Sequence, residues 1–200
     1  MSRLRIAAAM LRLSILSATV LSGCVFYQEP LHGTIVDAET KQPIQGAVVA
    51  GRWRPWRLVI PFGSRLNFPR HVAEAVTDSD GKYRLPPWGP VLCWPTAQIH
   101  YPPDLLAYKS GYELKHNGYW DKFGMPRESD WNGETVALIP YRGTPEGRLW
   151  DDRNVVDFCM SGDCPGPLTA LYEEVLNDKP FLGPKAGWLR ALEESLKRGQ

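Results

Sequence analysis

This sequence of 200 residues has neither an excess of charge of one sign nor a long apolar run. The 23 lysines and arginines are balanced by 22 aspartates and glutamates, so the formal net charge is +1. This balance gives no electrostatic reason to expect a nucleic-acid partner. The apolar run at residues 13–21 is too short to cross a hydrocarbon core of about 30 Å by itself. Internal repeats and low-complexity segments are absent as well.

Cysteine is scarce, with 4 residues, whereas glycine and proline, with 18 each, and tryptophan, with 8, are abundant. Glycine and proline interrupt regular elements and supply turns. This composition favours a turn-rich β domain with long structured loops over a helical bundle.

The N-terminal segment carries the most specific motif. Arg3, Arg5 and Arg12 form a basic region, the apolar run follows, and Leu21-Ser22-Gly23-Cys24 ends it. This pattern resembles the signal peptide and lipobox of a bacterial lipoprotein. The resemblance implies that residues 1–23 are removed and that Cys24 carries diacylglycerol and usually an amide-linked acyl chain such as palmitate. Such a modification is sufficient for stable membrane anchoring. The alternative is an uncleaved membrane helix with an incidental cysteine.

The same resemblance predicts the location of the protein. Val25, and not an aspartate, follows Cys24, which is typical of lipoproteins sorted to the outer membrane. We therefore expect a protein of the bacterial cell envelope with its lipid anchor in the outer membrane. Residues 24–30 are predicted to be a lipidated tether.

Short runs rich in β-branched residues predict strands beyond this point. Asp78-Ser79-Asp80-Gly81 predicts a turn that joins two of these strands into a hairpin, and Pro86-Pro87 ends the second one. The predicted strands are residues 31–37, 46–53, 71–77, 82–85, 96–100, 105–109 and 134–139.

Several of these segments resemble the carboxypeptidase regulatory-like domain, a transthyretin-like fold. The resemblance covers residues 31–140 and implies a mainly β fold, a Greek-key sandwich of roughly seven antiparallel strands. Two long segments depart from the family pattern, one between the second and third strands and one at residues 115–133. The segments that carry the likeness are residues 33–37, 43–49, 77–83, 108–112 and 136–139.

Residues 141–200 are predicted to form a helical appendage. The stretch at 141–163 is predicted to be irregular because it contains several turn-forming residues. Apolar residues recur at helical spacing in 168–177 and 185–198, which predicts two short helices. Because neither is long enough to be stable alone, we expect them to dock on the sandwich or on each other, with a partner protein as an alternative cover for the second.

Three cysteines remain if Cys24 is lipidated, and an exported protein meets an oxidising compartment. The short spacing of Cys159 and Cys164 favours a disulfide between them, and a bridge from Cys93 to either one is the alternative. No second Cys or His pair lies near them in the sequence, so we expect no metal site and no cofactor.

The sequence His71-Val72-Ala73-Glu74 has the spacing of a zinc-binding pair in metallocarboxypeptidases. In a strand, however, residues three apart point to opposite faces, so these two side chains should not converge on one ion. The resemblance is to the noncatalytic companion domain, and we expect no enzymatic activity. Asp78 to Gly81 also resembles the start of a calcium loop but lacks the later oxygen ligands.

A segment at residues 52–70 combines arginine with aromatic residues and contains no acid. Arginine pairs with carboxylate or phosphate and indole rings stack on sugars, so the segment is a candidate site for an anionic glycan or lipid headgroup. Alternatively, its aromatic residues cap one end of the sandwich and its arginines pair with the protein's own acids. The candidate ligand-binding residues are Arg52, Trp53, Arg54, Trp56 and Arg57.

Together these patterns predict a noncatalytic, lipid-anchored envelope protein that is a structural or protein-interaction module. Its partners are expected to be the membrane, through Cys24, and another envelope protein or a glycan. A module that binds glycan or an anionic polymer through residues 52–70 is one alternative. A small hydrolase with an unrecognised site is another.

Overall fold

The computed structural model describes residues 24–53, 55–56, 71–93, 98–99, 103–117, 131–160, 168–189 and 193–194. This part of the chain is mainly β, with helices at its C-terminal end. The strands are β1 (Cys24–Gln28), β2 (Leu31–Asp37), β3 (Val48–Trp53), β4 (Pro55–Trp56), β5 (His71–Val76), β6 (Lys82–Leu85), β7 (Trp88–Cys93), β8 (Gln98–Ile99), β9 (Asp104–Tyr108), β10 (Lys115–His116) and β11 (Glu134–Leu138).

Two sheets form the body of the protein. One has four strands in the order β10-β9-β3-β5, and the other has three in the order β11-β2-β6. Two further pairs, β1 with β7 and β4 with β8, are two-stranded ribbons. The body is therefore sandwich-like, in agreement with the fold class expected from the sequence.

Burial in the central strands follows from their place between layers. In β2 buried residues alternate with more exposed ones, as expected for a strand with one face on a core. In β3 and β9 every residue is buried, because the four-stranded sheet is covered on both faces. One face packs against the three-stranded sheet and the other packs against the helices.

Two apolar cores result. The first lies between the sheets and includes Leu31, Ile35, Val49, Trp53 and Leu105. The second joins the four-stranded sheet to the C-terminal helices and includes Val48, Ala50, Leu106, Tyr108, Val155, Phe158, Leu171, Val175 and Leu189. The expectation that the C-terminal helices dock on the sandwich is confirmed.

The strand directions differ from the expected antiparallel arrangement at one edge. β11 pairs with β2 in parallel, from Glu134 opposite Gly33 to Leu138 opposite Asp37. Parallel neighbours cannot be joined by a tight turn and need a long connection. Here β3 to β10 lie between β2 and β11 in the sequence, and β11 then forms the edge of the three-stranded sheet next to β2.

The turn at residues 78–81 also differs from the predicted hairpin. β5 pairs with β3, whereas β6 pairs with β2, so this turn connects two different sheets. Gly81 has φ of +71°, and a Cβ there would lie 2.4 Å from the carbonyl oxygen of Ile35. Both the backbone conformation and the close approach of β2 therefore require glycine.

The helices are α1 (Pro145–Met160), α2 (Thr169–Leu176) and α3 (Lys179–Leu182), followed by a 3-10 helix at Gly183–Trp188. α1 occupies most of the segment predicted to be irregular, and that prediction is corrected. Its sequence shows little apolar periodicity because Arg148 and Asp152 are buried while Trp150 is 67% exposed.

The structure agrees with the first of the two helices predicted further along the chain and differs at the start of the second. α2 lies within the predicted span 168–177. At the start of the second predicted helix, the residues from 185 to 188 belong to the 3-10 helix instead, whereas Leu189, Glu193 and Glu194 are α-helical as predicted. Residues 190–192 and 195–198 of that prediction lie outside the described part of the chain.

Candidate functional site

Cys24, the residue predicted to be lipidated, is the first residue of β1. Its Cα position lies opposite Cys93 in the antiparallel register of β1 with β7. The predicted tether at residues 24–30 thus contains a strand that pairs with β7 in a two-stranded ribbon. The side chains of both cysteines, and residues 1–23, lie outside the description.

Solvent-exposed and packed side chains alternate in the three residues that follow Cys24. Val25 and Tyr27 are 57% and 55% exposed, respectively. Phe26, between them, packs on Trp88 with ring centroids 5.1 Å apart. Since alternate residues of a strand share a face, two large apolar side chains project to solvent directly beside the predicted anchor.

The first two residues of the arginine- and tryptophan-rich segment are internal, which corrects their assignment to an exposed binding loop. Arg52 Nε lies 3.4 Å from Asp104 Oδ2, and its guanidinium lies 4.6 Å from the centre of the Phe158 ring. Arg52 also donates a hydrogen bond to the carbonyl oxygen of Phe158. Arg52 lies in β3 and Phe158 lies near the end of α1, so this arginine links the four-stranded sheet to that helix.

Trp53 is fully buried between the sheets. Its ring lies 5.2 Å from His71 and 6.1 Å from Trp88, measured between centroids. This agrees with the interpretation in which aromatic residues of the segment fill the end of the sandwich. Trp56 is described only in its backbone, as part of β4, and Arg54 and Arg57 lie outside the description.

His71 and Glu74 are held by different partners and do not form a common ligand set. The imidazole of His71 stacks on Trp88 with an interplanar angle of 10° and a centroid distance of 5.0 Å, and burial lowers its pKa. The Glu74 carboxylate accepts hydrogen bonds from the backbone N–H groups of Ala170 and Leu171, each at 3.0 Å. Glu74 therefore caps the N-terminus of α2 from a neighbouring strand.

The acidic turn has a structural role as well. Asp78 Oδ1 accepts hydrogen bonds from the N–H groups of Asp80 and Lys82, both at 2.9 Å. These bonds hold the reversal between β5 and β6. Across the described ranges of the chain, no group of three or more His, Cys, Asp or Glu residues is placed to hold a metal ion.

The predicted disulfide partners are not both described. Cys159 belongs to the last turn of α1, and its side chain and Cys164 lie outside the described part of the chain. The bridge between them remains a prediction.

The densest polar arrangement is one that the sequence analysis missed, a buried charge network between α1 and the turn after β9. We use this name for Arg148, Asp152, Asp178 and Tyr108, none of which is more than 3% exposed. Arg148 Nε donates a hydrogen bond to Asp178 and lies 3.4 Å from Asp152 Oδ1. The guanidinium lies 4.7 Å from the centre of the Tyr108 ring.

The two terminal nitrogens of Arg148 also donate hydrogen bonds. They bond the backbone carbonyl oxygens of Lys109, at 3.2 Å, and Tyr112. Ser110 in the same turn donates its hydroxyl hydrogen to Asp178 and its backbone N–H to Glu174. The turn at residues 109–112 is thus bound to α1 and to the segment that follows α2.

The hydrogen bonds of the charge network require one more proton than its side chains carry when both aspartates are ionised. The Tyr108 hydroxyl is 2.5 Å from Asp152 Oδ1 and is also within hydrogen-bonding distance of Asp178 Oδ2. A hydroxyl has a single hydrogen, so one of the two contacts requires a proton on a carboxyl group. Burial, followed by the nearby Asp178 charge, raises the pKa of Asp152 to about 7, although Tyr108 and Arg148 act in the opposite direction. We therefore assign the proton to Asp152.

A trace of this network is visible in the sequence. Arg148 and Asp152 are spaced i, i+4, which places them on one face of a helix. That spacing is normally typical of an exposed ion pair, and nothing in the sequence marks Asp178 as the third member.

Among the helices of the described ranges, none is long and apolar enough to cross a membrane.

The strand pairing and the two cores define a mainly β, sandwich-like protein with a layer of helices on one sheet. No protein-family model matches the sequence, and no curated protein matches it. The C-terminal domain of a shaft pilin from Lactobacillus rhamnosus GG is similar at 10% identity and a TM-score of 0.30, over 58% of this chain and 99% of that one.

Chlorocatechol 1,2-dioxygenase from Pseudomonas putida is similar at 20% identity and a TM-score of 0.27, over 57% of this chain and 61% of that one. At these TM-scores neither likeness carries an argument about this protein. Neither specifically supports the resemblance to the carboxypeptidase regulatory-like domain.

Proposed function

We propose that this chain is a noncatalytic, lipid-anchored protein of the bacterial cell envelope, and that its folded body is a structural or protein-interaction module. Cys24 is the anchored residue, and the outer membrane is the expected site. The motif Leu21-Ser22-Gly23-Cys24 and the basic, apolar segment before it support this proposal.

The observation that carries the proposal is the position of Cys24 at the first residue of β1. Only Glu29 and Pro30 separate this strand from β2, so the anchor would hold the body close to the membrane surface. Val25 and Tyr27, exposed on one face beside the anchor, are suited to contact the boundary between headgroups and acyl chains.

The noncatalytic part of the proposal is supported by what the polar groups do. His71 stacks on tryptophan, Glu74 caps a helix, and the Ser110 hydroxyl is bonded to Asp178 within the charge network. Catalysis by a serine or cysteine nucleophile needs a base in contact with that nucleophile and a cavity for the substrate. The described residues that line a cavity include no such pair.

Metabolic labelling tests the anchor. The full chain would be expressed in a Gram-negative host that is fed an alkyne fatty acid, and the purified protein would be coupled to a fluorescent azide. We expect label on the wild type and on Cys93→Ala, and none on Cys24→Ala. Cys93 is the matched control because it lies opposite Cys24 in the sheet. Label that survives in Cys24→Ala, or is missing from the wild type, would refute lipidation at Cys24.

The interaction role is tested separately by crosslinking in intact envelopes followed by purification under denaturing conditions. We expect a reproducible set of crosslinked proteins that is lost in Cys24→Ala, because the unanchored body leaves the membrane surface. Recovery of the same set from both chains would contradict a function that depends on the anchor.

A further inference from the structure

One cavity lies at the surface beside α1, and it is lined by none of the four residues of the charge network. Its volume is about 390 Å³, toward the small end of the range for ligand sites. The lining residues are Glu113, Leu114, Tyr141, Gly147, Trp150 and Asp151. Two carboxylates and two aromatic rings therefore face one concavity, and none of the lining side chains is basic.

The aromatic wall of the cavity is held in place. The Tyr141 hydroxyl donates a hydrogen bond to the carbonyl oxygen of Thr144 at 2.7 Å. A Cβ at Gly147 would lie 2.6 Å from the Tyr141 hydroxyl oxygen, so glycine is needed for the ring to occupy this position. Phe181 packs edge-on against Tyr141 with a centroid distance of 6.0 Å.

The electrostatic environment of the cavity is negative. Burial is the main reason why the pKa of Asp151 is raised, and the Glu113 charge raises it further, while Arg148 lowers it. The Arg148 guanidinium lies 5.3 Å from the centre of the Tyr141 ring. Its donors already bond Asp178 and two backbone carbonyls. Glu113 and Asp151 would both gain from a cation placed between them.

We propose that this cavity binds a basic side chain, arginine or lysine, that a partner protein presents. Carboxylates supply the charge for a guanidinium or ammonium group, and the exposed indole of Trp150 supplies a cation–π contact. This inference deepens the proposed interaction function and rests on it for the statement that the ligand belongs to a protein.

The rim of the cavity favours a protein ligand over a free amine. Trp150 is 67% exposed and Phe181 is 47% exposed, so large apolar surfaces remain uncovered around the acidic centre. Exposed aromatic residues around a pocket for a charged group are typical of energetically dominant positions in protein interfaces. A partner covers this rim, whereas a small amine leaves it in water.

Nuclear magnetic resonance of the full chain in detergent micelles tests the site directly. The indole N–H signal of Trp150 is assigned by its loss in Trp150→Phe. The probes are a short arginine peptide with apolar flanking residues, its citrulline counterpart, and free arginine amide. We expect the arginine peptide to shift this signal most, arginine amide to bind more weakly, and the neutral citrulline peptide to have little effect.

Two substitutions probe the contacts. Glu113→Gln and Trp150→Ala should each weaken binding of the arginine peptide roughly two- to fivefold, as expected for single partly exposed ionic or cation–π contacts. Binding by Trp150→Ala is followed through the peptide signals. The control Glu173→Gln changes an exposed carboxylate on α2 that is not part of the cavity and should leave the affinity unchanged.

Equal shifts by the citrulline and arginine peptides, or unchanged affinity in both cavity variants, would overturn the inference. Equal affinity for the peptide and arginine amide would overturn its assignment to a protein ligand. These measurements do not depend on lipid attachment, so the labelling experiment at Cys24 and the titration of the cavity fail or succeed independently.

Discussion

Replacing Asp152 with asparagine should stabilise this protein above neutral pH and change its stability little near pH 4. In the charge network Asp152 Oδ1 contacts the Tyr108 hydroxyl, and Oδ2 has no hydrogen-bond donor among the described residues. An asparagine whose amide NH2 faces the Tyr108 hydroxyl donates the hydrogen bond that the protonated carboxyl supplies, and its uncharged oxygen takes the place of Oδ2. It therefore removes the cost of a buried negative charge while preserving the shape of the side chain.

The sign and size of this pH-dependent change in stability follow from the raised pKa of Asp152. In the unfolded chain Asp152 loses its proton near its ordinary pKa of 3.8, whereas in the folded protein it keeps the proton until about pH 7. The unfolded state therefore binds fewer protons in this window, and wild-type stability falls as pH rises through it. At about 1.4 kcal/mol per pKa unit, the total is on the order of 4 kcal/mol.

Urea unfolding of both chains between about pH 4 and pH 9 measures the effect. We expect the difference in unfolding free energy, variant minus wild type, to rise across this range and to level off above pH 8. The control Asp178→Asn removes the negative charge beside Arg148 and one of the two oxygens that accept hydrogen bonds from Arg148 and Ser110, so it should destabilise the protein throughout. A difference that is constant with pH would refute the assignment of the proton to Asp152.

Three further predictions concern stability and are measured by urea unfolding. Glu74→Gln should cost about 1 kcal/mol, because a neutral cap on α2 replaces a charged one. Arg52→Ala should cost about 3–5 kcal/mol, because it leaves the Asp104 carboxylate buried without the guanidinium. Gly81→Ala should cost more than Gly111→Ala, by about 1 kcal/mol or more, because both have positive φ but only at Gly81 does a Cβ meet another strand.

Each of these predictions has an outcome that contradicts it. Glu74→Gln should lose stability specifically around α2, so uniform hydrogen-exchange changes across the protein would argue against a cap. A double variant, Arg52→Met with Asp104→Leu, should recover most of the loss, and failure to do so would mean that packing and not charge explains it. Equal losses at Gly81 and Gly111 would mean that the close contact with Ile35 contributes nothing.

Strands with a strong local pattern could be predicted to the residue. β2 and β6 begin and end where the sequence predicted, since alternating apolar residues and adjacent turns determine both limits. β1 and β7 were missed because they pair only with each other, and their residues carry little alternation. The parallel pairing of β11 was also missed, because strand direction depends on which edge the chain reaches.

The helical part was harder because its buried face is partly charged. α1 buries Arg148 and Asp152 and exposes Trp150, which is the reverse of an amphipathic pattern. Those charges are stable inside only because Asp178, Tyr108 and the turn after β9 complete their hydrogen bonds. No local rule identifies partners that lie so far apart in the chain.

By itself, the sequence determined the mainly β character of residues 31–140, the limits of β2 and β6 and the motif ending at Cys24, because these depend on residues that are neighbours in the chain. Tertiary structure alone decided that Arg52 and Trp53 are internal, that Glu74 caps a helix and that Asp152 holds a proton. Burial and charge pairing are properties of surroundings, and those surroundings are assembled from distant segments only when the sheets and helices pack.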